Sequence, residues 1–338
     1  MRVVAIVDPG GDHPFPGPLQ EAGVEMGVHS LPGRAYLRAT RVVAEEIRSF
    51  RPDVVHTHGY RSDLLDAEVA RWYRVPTVTT IHGSSLMGGH SQFLERIQFR
   101  MLGRFDAVVS VSQPLTEELA RTGVPGSRLH LIPNAWSGDP PRLDRAAALR
   151  RLGLPDEVGG PPVVGFVGRL IPVKGGDVLV RALQLLEGFP WTAVLVGDGR
   201  ARPGLETQVA EAGLGDRVRF AGEVPDAADI LGAFDLFVLP SRSEGTPIVL
   251  FEAIAAGTPA VVSAVGGVPD VVGPQEASLV PPEDPTALAE AIRKTLADPE
   301  GARRRARRAS QRVALEFSPE SWLRRYDHVY RGLGTLRS

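Results

Sequence analysis

From residue 2 onward, short runs of aliphatic and β-branched residues alternate with longer stretches whose apolar positions recur every three or four residues. The short runs predict strands over residues 2–7, 24–31, 53–58, 76–82, 107–112 and 129–133, and again over 162–167, 192–196, 217–221, 236–239, 259–263 and 277–280. Between them the periodic stretches predict helices over 36–50, 62–73, 91–103 and 114–122, then over 177–187, 203–212, 227–233 and 247–256. Strands without polar alternation, joined by helical crossovers, belong to parallel sheets covered on both faces. The pattern occurs twice, which predicts an α/β protein of two doubly wound, Rossmann-like domains. Domain bounds of 1–140 and 161–318 follow, separated by a Pro/Gly-rich linker at 141–160 that holds one short Arg-rich helical piece. After Asp284 the chain reads as helix throughout, over 286–297, 301–316 and 319–332. Pro14, Pro16 and Pro18 argue against a regular helix in the first crossover.

Composition narrows the function classes. The chain has 338 residues, with 38 basic against 40 acidic side chains and a net charge of −2, so nothing draws it to nucleic acid. It contains no cysteine, which excludes disulfides, a thiol nucleophile and Cys-ligated metals. The apolar start gives way to Asp8-Pro9-Gly10-Gly11 too soon for a signal segment. The longest apolar tract, 247–272, is broken by Glu252, Gly257, Pro259 and Gly266 and cannot span a bilayer. A cytoplasmic protein is therefore expected, with the inner face of a membrane as one setting. Lysine occurs only at 174 and 294, all other basic residues being arginine. The Arg-rich run at 301–310 reads as a solvated helix face, with phosphate or membrane contact as the alternative.

Ligands of open α/β sheets bind beyond the carboxyl ends of the strands, and those ends are polar and Gly-rich here. The first half carries His56-Thr57-His58-Gly59 and His82-Gly83-Ser84-Ser85; the second carries Gly168-Arg169, Gly197-Asp198-Gly199, Gly222-Glu223 and Ser241-Arg242-Ser243-Glu244-Gly245. In the segment 243–252, Thr246 is placed to cap a helix that Pro247 begins, giving an anion-favouring helix start. Glu252, two turns further, suits the vicinal hydroxyls of a ribose; an ordinary helix glutamate is the alternative. Arg169 and Lys174, in a Gly-flanked loop before another helix, offer a planar fork and a point charge to a diphosphate, or else pair with surface acids. Neither a Walker A loop nor a GxGxxG fingerprint is present.

With G-R-L-x-x-x-K-G at 168–175, V-G-D-G at 196–199 and E-x7-E at 244–252, the chain resembles the retaining glycosyltransferases of family 4, whose fold is called GT-B. The H-x-H-G and I-H-G strand ends, I-P-N before the linker and G-G-V-P-D at 266–270 support this. The resemblance implies two Rossmann-like domains facing across a cleft, the first completed by a C-terminal helix at about 319–338. It implies that Arg169 and Lys174 hold the diphosphate of a nucleotide sugar, Glu252 the ribose, and Glu244 the donor sugar. Backbone at Gly11, Gly168, Gly222, Thr246, Ile248 and Val249 would approach the donor, His82 the reacting carbon, and His58, Tyr60, Ser84 and Asn134 the acceptor. It further implies transfer of a hexosyl unit to an acceptor hydroxyl, without cofactor or metal; no D-x-D occurs in the chain. A nucleotide sugar and a glycan, lipid-linked or small-molecule acceptor are the expected partners, and residues 92–104 a candidate membrane contact. A sugar-nucleotide epimerase on the same fold and a non-catalytic binding subunit are the alternatives. Two departures stand out: the proline-rich first crossover, and Pro247, which lacks an N–H at the helix start.

Overall fold

The computed structural model describes residues 1–10, 16–32, 35–82, 100–136, 140–155 and 160–334. Packing divides the chain into two units: Met1–Val111, Leu115–Ile132 and Arg325–Ser338 form the first, and Ser112–Pro114 and Pro133–Arg324 the second.

The first unit contains a parallel pair, β1 (Arg2–Val7) and β2 (Glu25–Ser30), and a four-stranded parallel sheet in the order β3 (Val55–His58), β4 (Thr77–Ile81), β5 (Ala107–Ser110), β6 (Leu129–Leu131). Helix Tyr36–Phe50 buries Ala39, Val43 and Ile47 at four-residue spacing and stops at Arg51, whose φ is +52°. A short helix, Pro16–Glu21, does form in the first crossover. Prolines are tolerated in a first turn, where the amide they lack would have no intrahelical partner. The helix expected over 62–73 is two, Tyr60–Leu64 and Asp66–Trp72, divided at Leu65. Asp63 is wholly buried and accepts hydrogen bonds from the hydroxyls of Thr57 (2.6 Å) and Thr79 (2.7 Å), which lowers the cost of its burial. Most of the helix expected over 91–103 lies outside the described residues.

The second unit is one six-stranded parallel sheet, ordered β9 (Val218–Gly222), β8 (Thr192–Val196), β7 (Val163–Val167), β10 (Leu236–Leu239), β11 (Ala260–Ser263), β12 (Ser278–Val280). The chain builds outward from β7 on one side, then returns to lay β10 against the other. This is the Rossmann order. Side chains alternate between two cores: Phe237 and Leu239 enter one, Leu236 and Val238 the other. Gly165 leaves room in β7 for the Phe234 ring, which a Cβ there would approach to 2.1 Å. The stretch expected to be a linker is partly core. Asp144 caps helix Arg145–Arg151 by accepting from the Ala147 amide, and Ala148, Leu149 and Leu152 join the first of these cores. Among the described residues no helix is long and apolar enough to cross a membrane.

Candidate functional site

Sheet order places the carboxyl ends of β7 and β10 side by side, at the point where the winding reverses. A crevice at such a point is where doubly wound sheets take ligands. The loop after β7 carries Gly168 and Arg169, then a tight turn, Pro172–Lys174; the loop after β10 runs from Ser241 to Pro247. Gly175 joins them closely: its φ is +69°, and a Cβ would lie 2.0 Å from the Pro240 carbonyl oxygen. Across this seam Lys174 Nζ donates to both oxygens of Glu244, at 2.7 and 2.9 Å. Ser241 Oγ adds a third bond to Glu244 at 2.6 Å. The Glu244 side chain is only 7% exposed, so the pair is desolvated and its partner obligatory.

The helix after this loop begins at Ile248, one residue later than expected. Pro247 is extended (φ −74°, ψ 111°) and occupies the cap position, with no side-chain capping bond, while Thr246 is buried ahead of it. The missing amide of Pro247 therefore falls outside the helix. The Ile248 and Val249 amides are the first-turn donors that have no partner within the helix. Arg169 is exposed and pairs with no acid among the described residues. Glu252 is half-buried, its carboxylate accepts no hydrogen bond among the described residues, and burial raises that carboxyl above the usual range. Gly222 ends β9, and its carbonyl accepts from the Gly197 amide at 2.7 Å.

In the first unit the ends of β3 and β4 bring three histidines together. His58 Nδ1 lies 3.2 Å from His82 Nε2, so one of these nitrogens donates and the other accepts. His56 stacks on His58 at 4.4 Å and is held at both nitrogens, by the Tyr330 hydroxyl (2.7 Å) and the Thr80 hydroxyl (2.8 Å). Burial, with the nearby His58 and His82, lowers the His56 value from 6.5 to about 3. Neutral imidazole is thus the folded form, and the unfolded chain binds the extra proton. Stability from this site is complete above pH 6.5 and falls as pH drops from there toward 3. Denaturant titration of the wild-type chain at pH 7 and pH 5 is expected to show a loss of no more than about 2 kcal/mol from this residue. A His56→Gln chain is expected to show a flatter profile over the same interval.

Tyr60 is 52% exposed beside this cluster. Asn134 groups with the second unit, not the first where the sequence reading put it, because the chain changes unit after Ile132. Gly11, Ser84 and most of 92–104 lie outside the described residues. Sequence reasoning placed Ser241, Arg242 and His56 among the polar strand ends without a role, and missed Thr80, Tyr326 and Tyr330. The position of Ser241 and Arg242 just after β10, and the place of His56 two residues before the end of β3, were the available signal. Tyr326 donates to or accepts from Thr80 at 3.0 Å and had none.

Two Rossmann-like units in one chain make up the GT-B architecture. The family described as Glycosyl transferases group 1 matches residues 155–312, and Glycosyltransferase Family 4 matches residues 3–136. The chain is 31% identical to the glycogen synthase of Mycobacterium tuberculosis, over 94% of this chain and 77% of that protein. It is 34% identical to the 2-deoxystreptamine glucosyltransferase of Streptomyces kanamyceticus, over 78% of this chain and 72% of that one. Among solved structures, Anabaena Alr3699/HepE in complex with UDP-glucose superposes with a TM-score of 0.81 at 24% identity, covering 98% of this chain and 92% of its own. The chain belongs to the group 1 glycosyltransferases.

Proposed function

We propose that the chain is a retaining hexosyltransferase that moves a hexosyl unit from a nucleotide-diphosphate sugar to an acceptor hydroxyl without a metal ion. The observation that carries this is the seam between β7 and β10, where Arg169 and Lys174 stand on one loop and the first-turn amides of Ile248 and Val249 on the helix that the adjoining loop leads into. Breaking the bond to the sugar leaves negative charge on the departing diphosphate, and preorganised cations and amides stabilise that charge most where water is scarce. Arg169 supplies a bidentate fork, Lys174 a point charge and the helix start a positive dipole. The Glu252 carboxylate, with no hydrogen-bond partner among the described residues, accepts from the ribose hydroxyls. Glu244 is assigned to the sugar and His82 to the reacting carbon. The relatives support the reading by name: one is a glucosyltransferase, one a glycogen synthase, and a structural neighbour holds UDP-glucose. Retention fits front-face attack, in which the leaving phosphate takes the proton of the acceptor hydroxyl. A lipid-linked or polysaccharide acceptor and contact with a membrane surface belong to the same reading.

Calorimetric titration with UDP-, GDP- and ADP-sugars in the presence of a chelator tests it. One donor is expected to bind and to turn over with retained anomeric configuration by NMR. Failure of all three to bind would remove the proposal. Glu252→Gln is expected to raise the KM for that donor about tenfold with a smaller change in kcat, as one charged acceptor becomes a neutral one. Burial raises the Glu252 carboxyl. Donor affinity should therefore weaken as acid protonates it, a dependence the Gln variant lacks.

A further inference from the structure

Between the two loops of the seam lies a side chain that the mechanism above does not use. Arg242 is 82% buried by side-chain area, its exposure being 18%, and its donors are divided between the segment around Lys174 and Glu283. Its backbone amide donates to the Val173 carbonyl at 2.8 Å, and Nη1 donates to the Pro172 carbonyl at 2.5 Å. Nη1 and Nη2 grip Asp177 as a fork, both at 2.8 Å, and Nε donates to Glu283 at 2.6 Å. Pro172 and Val173 immediately precede Lys174, and Asp177 stands in the first turn of the helix that follows it. Arg242 therefore holds the backbone before Lys174 and the Asp177 carboxylate after it, while two residues along Glu244 holds its ammonium.

We infer that Arg242 is a positioning residue: it clamps the Pro172–Lys174 turn so that the Lys174 ammonium, still held on Glu244, turns its remaining N–H to the diphosphate of the donor. This rests on the assignment of Lys174 to the diphosphate. A lysine is a flexible point charge, and its stem can direct that charge only from a fixed root. An arginine fork is suited to the fixing because two parallel bonds to one carboxylate define direction as well as distance. Lysine at 242 could make one of these contacts but not the fork, so charge alone should not restore the function.

The test is a double-variant cycle on the full chain, read by calorimetry with UDP, GDP and ADP and by saturation-transfer NMR with the matching nucleosides. For the diphosphate that binds the parent, Arg242→Gln is expected to weaken affinity about tenfold, with the nucleoside unaffected and the rise appearing in donor KM more than in kcat. Arg242→Lys is expected to recover little of the loss. In a Lys174→Ala background, Arg242→Gln should change diphosphate affinity by less than about twofold, because the group it positions is gone. If Arg242→Gln does not fold, Asp177→Asn removes the fork's charged partner and carries the same comparison. Diphosphate binding unchanged in Arg242→Gln but lost in Lys174→Ala overturns the clamp. So does equal weakening of nucleoside and diphosphate. Diphosphate binding unchanged in Lys174→Ala overturns the underlying assignment instead.

Discussion

Lys174→Ala is expected to reduce donor affinity by about a hundredfold and to destabilise the second unit at the same time. Both losses come from one ammonium. In the free chain it neutralises Glu244, which is 7% exposed and, among the described residues, otherwise receives only the Ser241 hydroxyl at 2.6 Å. Removing one member of a desolvated pair strands the other, a defect that costs about 3–5 kcal/mol. In the donor complex proposed above, the same ammonium is assigned to the diphosphate. A second substitution separates the two effects. Lys174→Ala/Glu244→Gln leaves no stranded charge and should regain most of the lost stability, yet bind donor no better than the single variant. Urea denaturation followed beside calorimetric donor titration checks both arms.

Gly266→Ala should be nearly as damaging, through the backbone. Gly266 has φ +50°, and a Cβ there would lie 1.7 Å from the carbonyl oxygen of Glu244 and 2.7 Å from its carbon. Neither atom belongs to a side chain that can swing aside. The loop that carries Glu244 must retreat, taking with it the lysine partner and the start of helix Ile248–Ala255. A loss of about 1–3 kcal/mol is expected from the overpacking, with added strain at a positive φ. Activity should fall further than stability, since displacements of an ångström in positioned groups reach about a hundredfold in rate. Gly204→Ala is the control. That glycine lies inside helix Arg202–Glu211, and a Cβ would meet nothing within 4 Å. Alanine there should stabilise by about 0.5–1 kcal/mol. Thermal midpoints of the two variants should move in opposite directions.

Much of the fold could be read along the chain because its cause is local. A strand such as Leu236–Leu239 announces itself by being apolar at every position, and its four side chains do divide between two cores. The four-residue spacing of Ala39, Val43 and Ile47 likewise marks a helix without reference to anything distant. The candidate site was legible as a set of strand ends but not as a set of contacts. Lys174 and Glu244 meet across 70 residues because β10 returns to the free side of β7, a decision of sheet order that periodicity does not carry. His56 and Tyr330, 274 residues apart, are a stronger case. The helix start at Ile248 was misplaced by one residue because Pro is favoured at a first helical position, whereas here its extended ψ makes it the cap. Arg242 looked like any loop arginine. Its worth lies in two carbonyls and a carboxylate that only the folded seam supplies.

The central place of β7 also shapes how this unit comes into being. On the ribosome β7, β8 and β9 emerge together and can pair, but the opposite edge of β7 stays open until β10 has been made. That edge belongs to a strand buried along its whole length in the finished molecule. A nascent chain arrested between β9 and β10 therefore displays an unpaired, apolar ribbon end, the kind of surface that recruits chaperones or neighbouring chains.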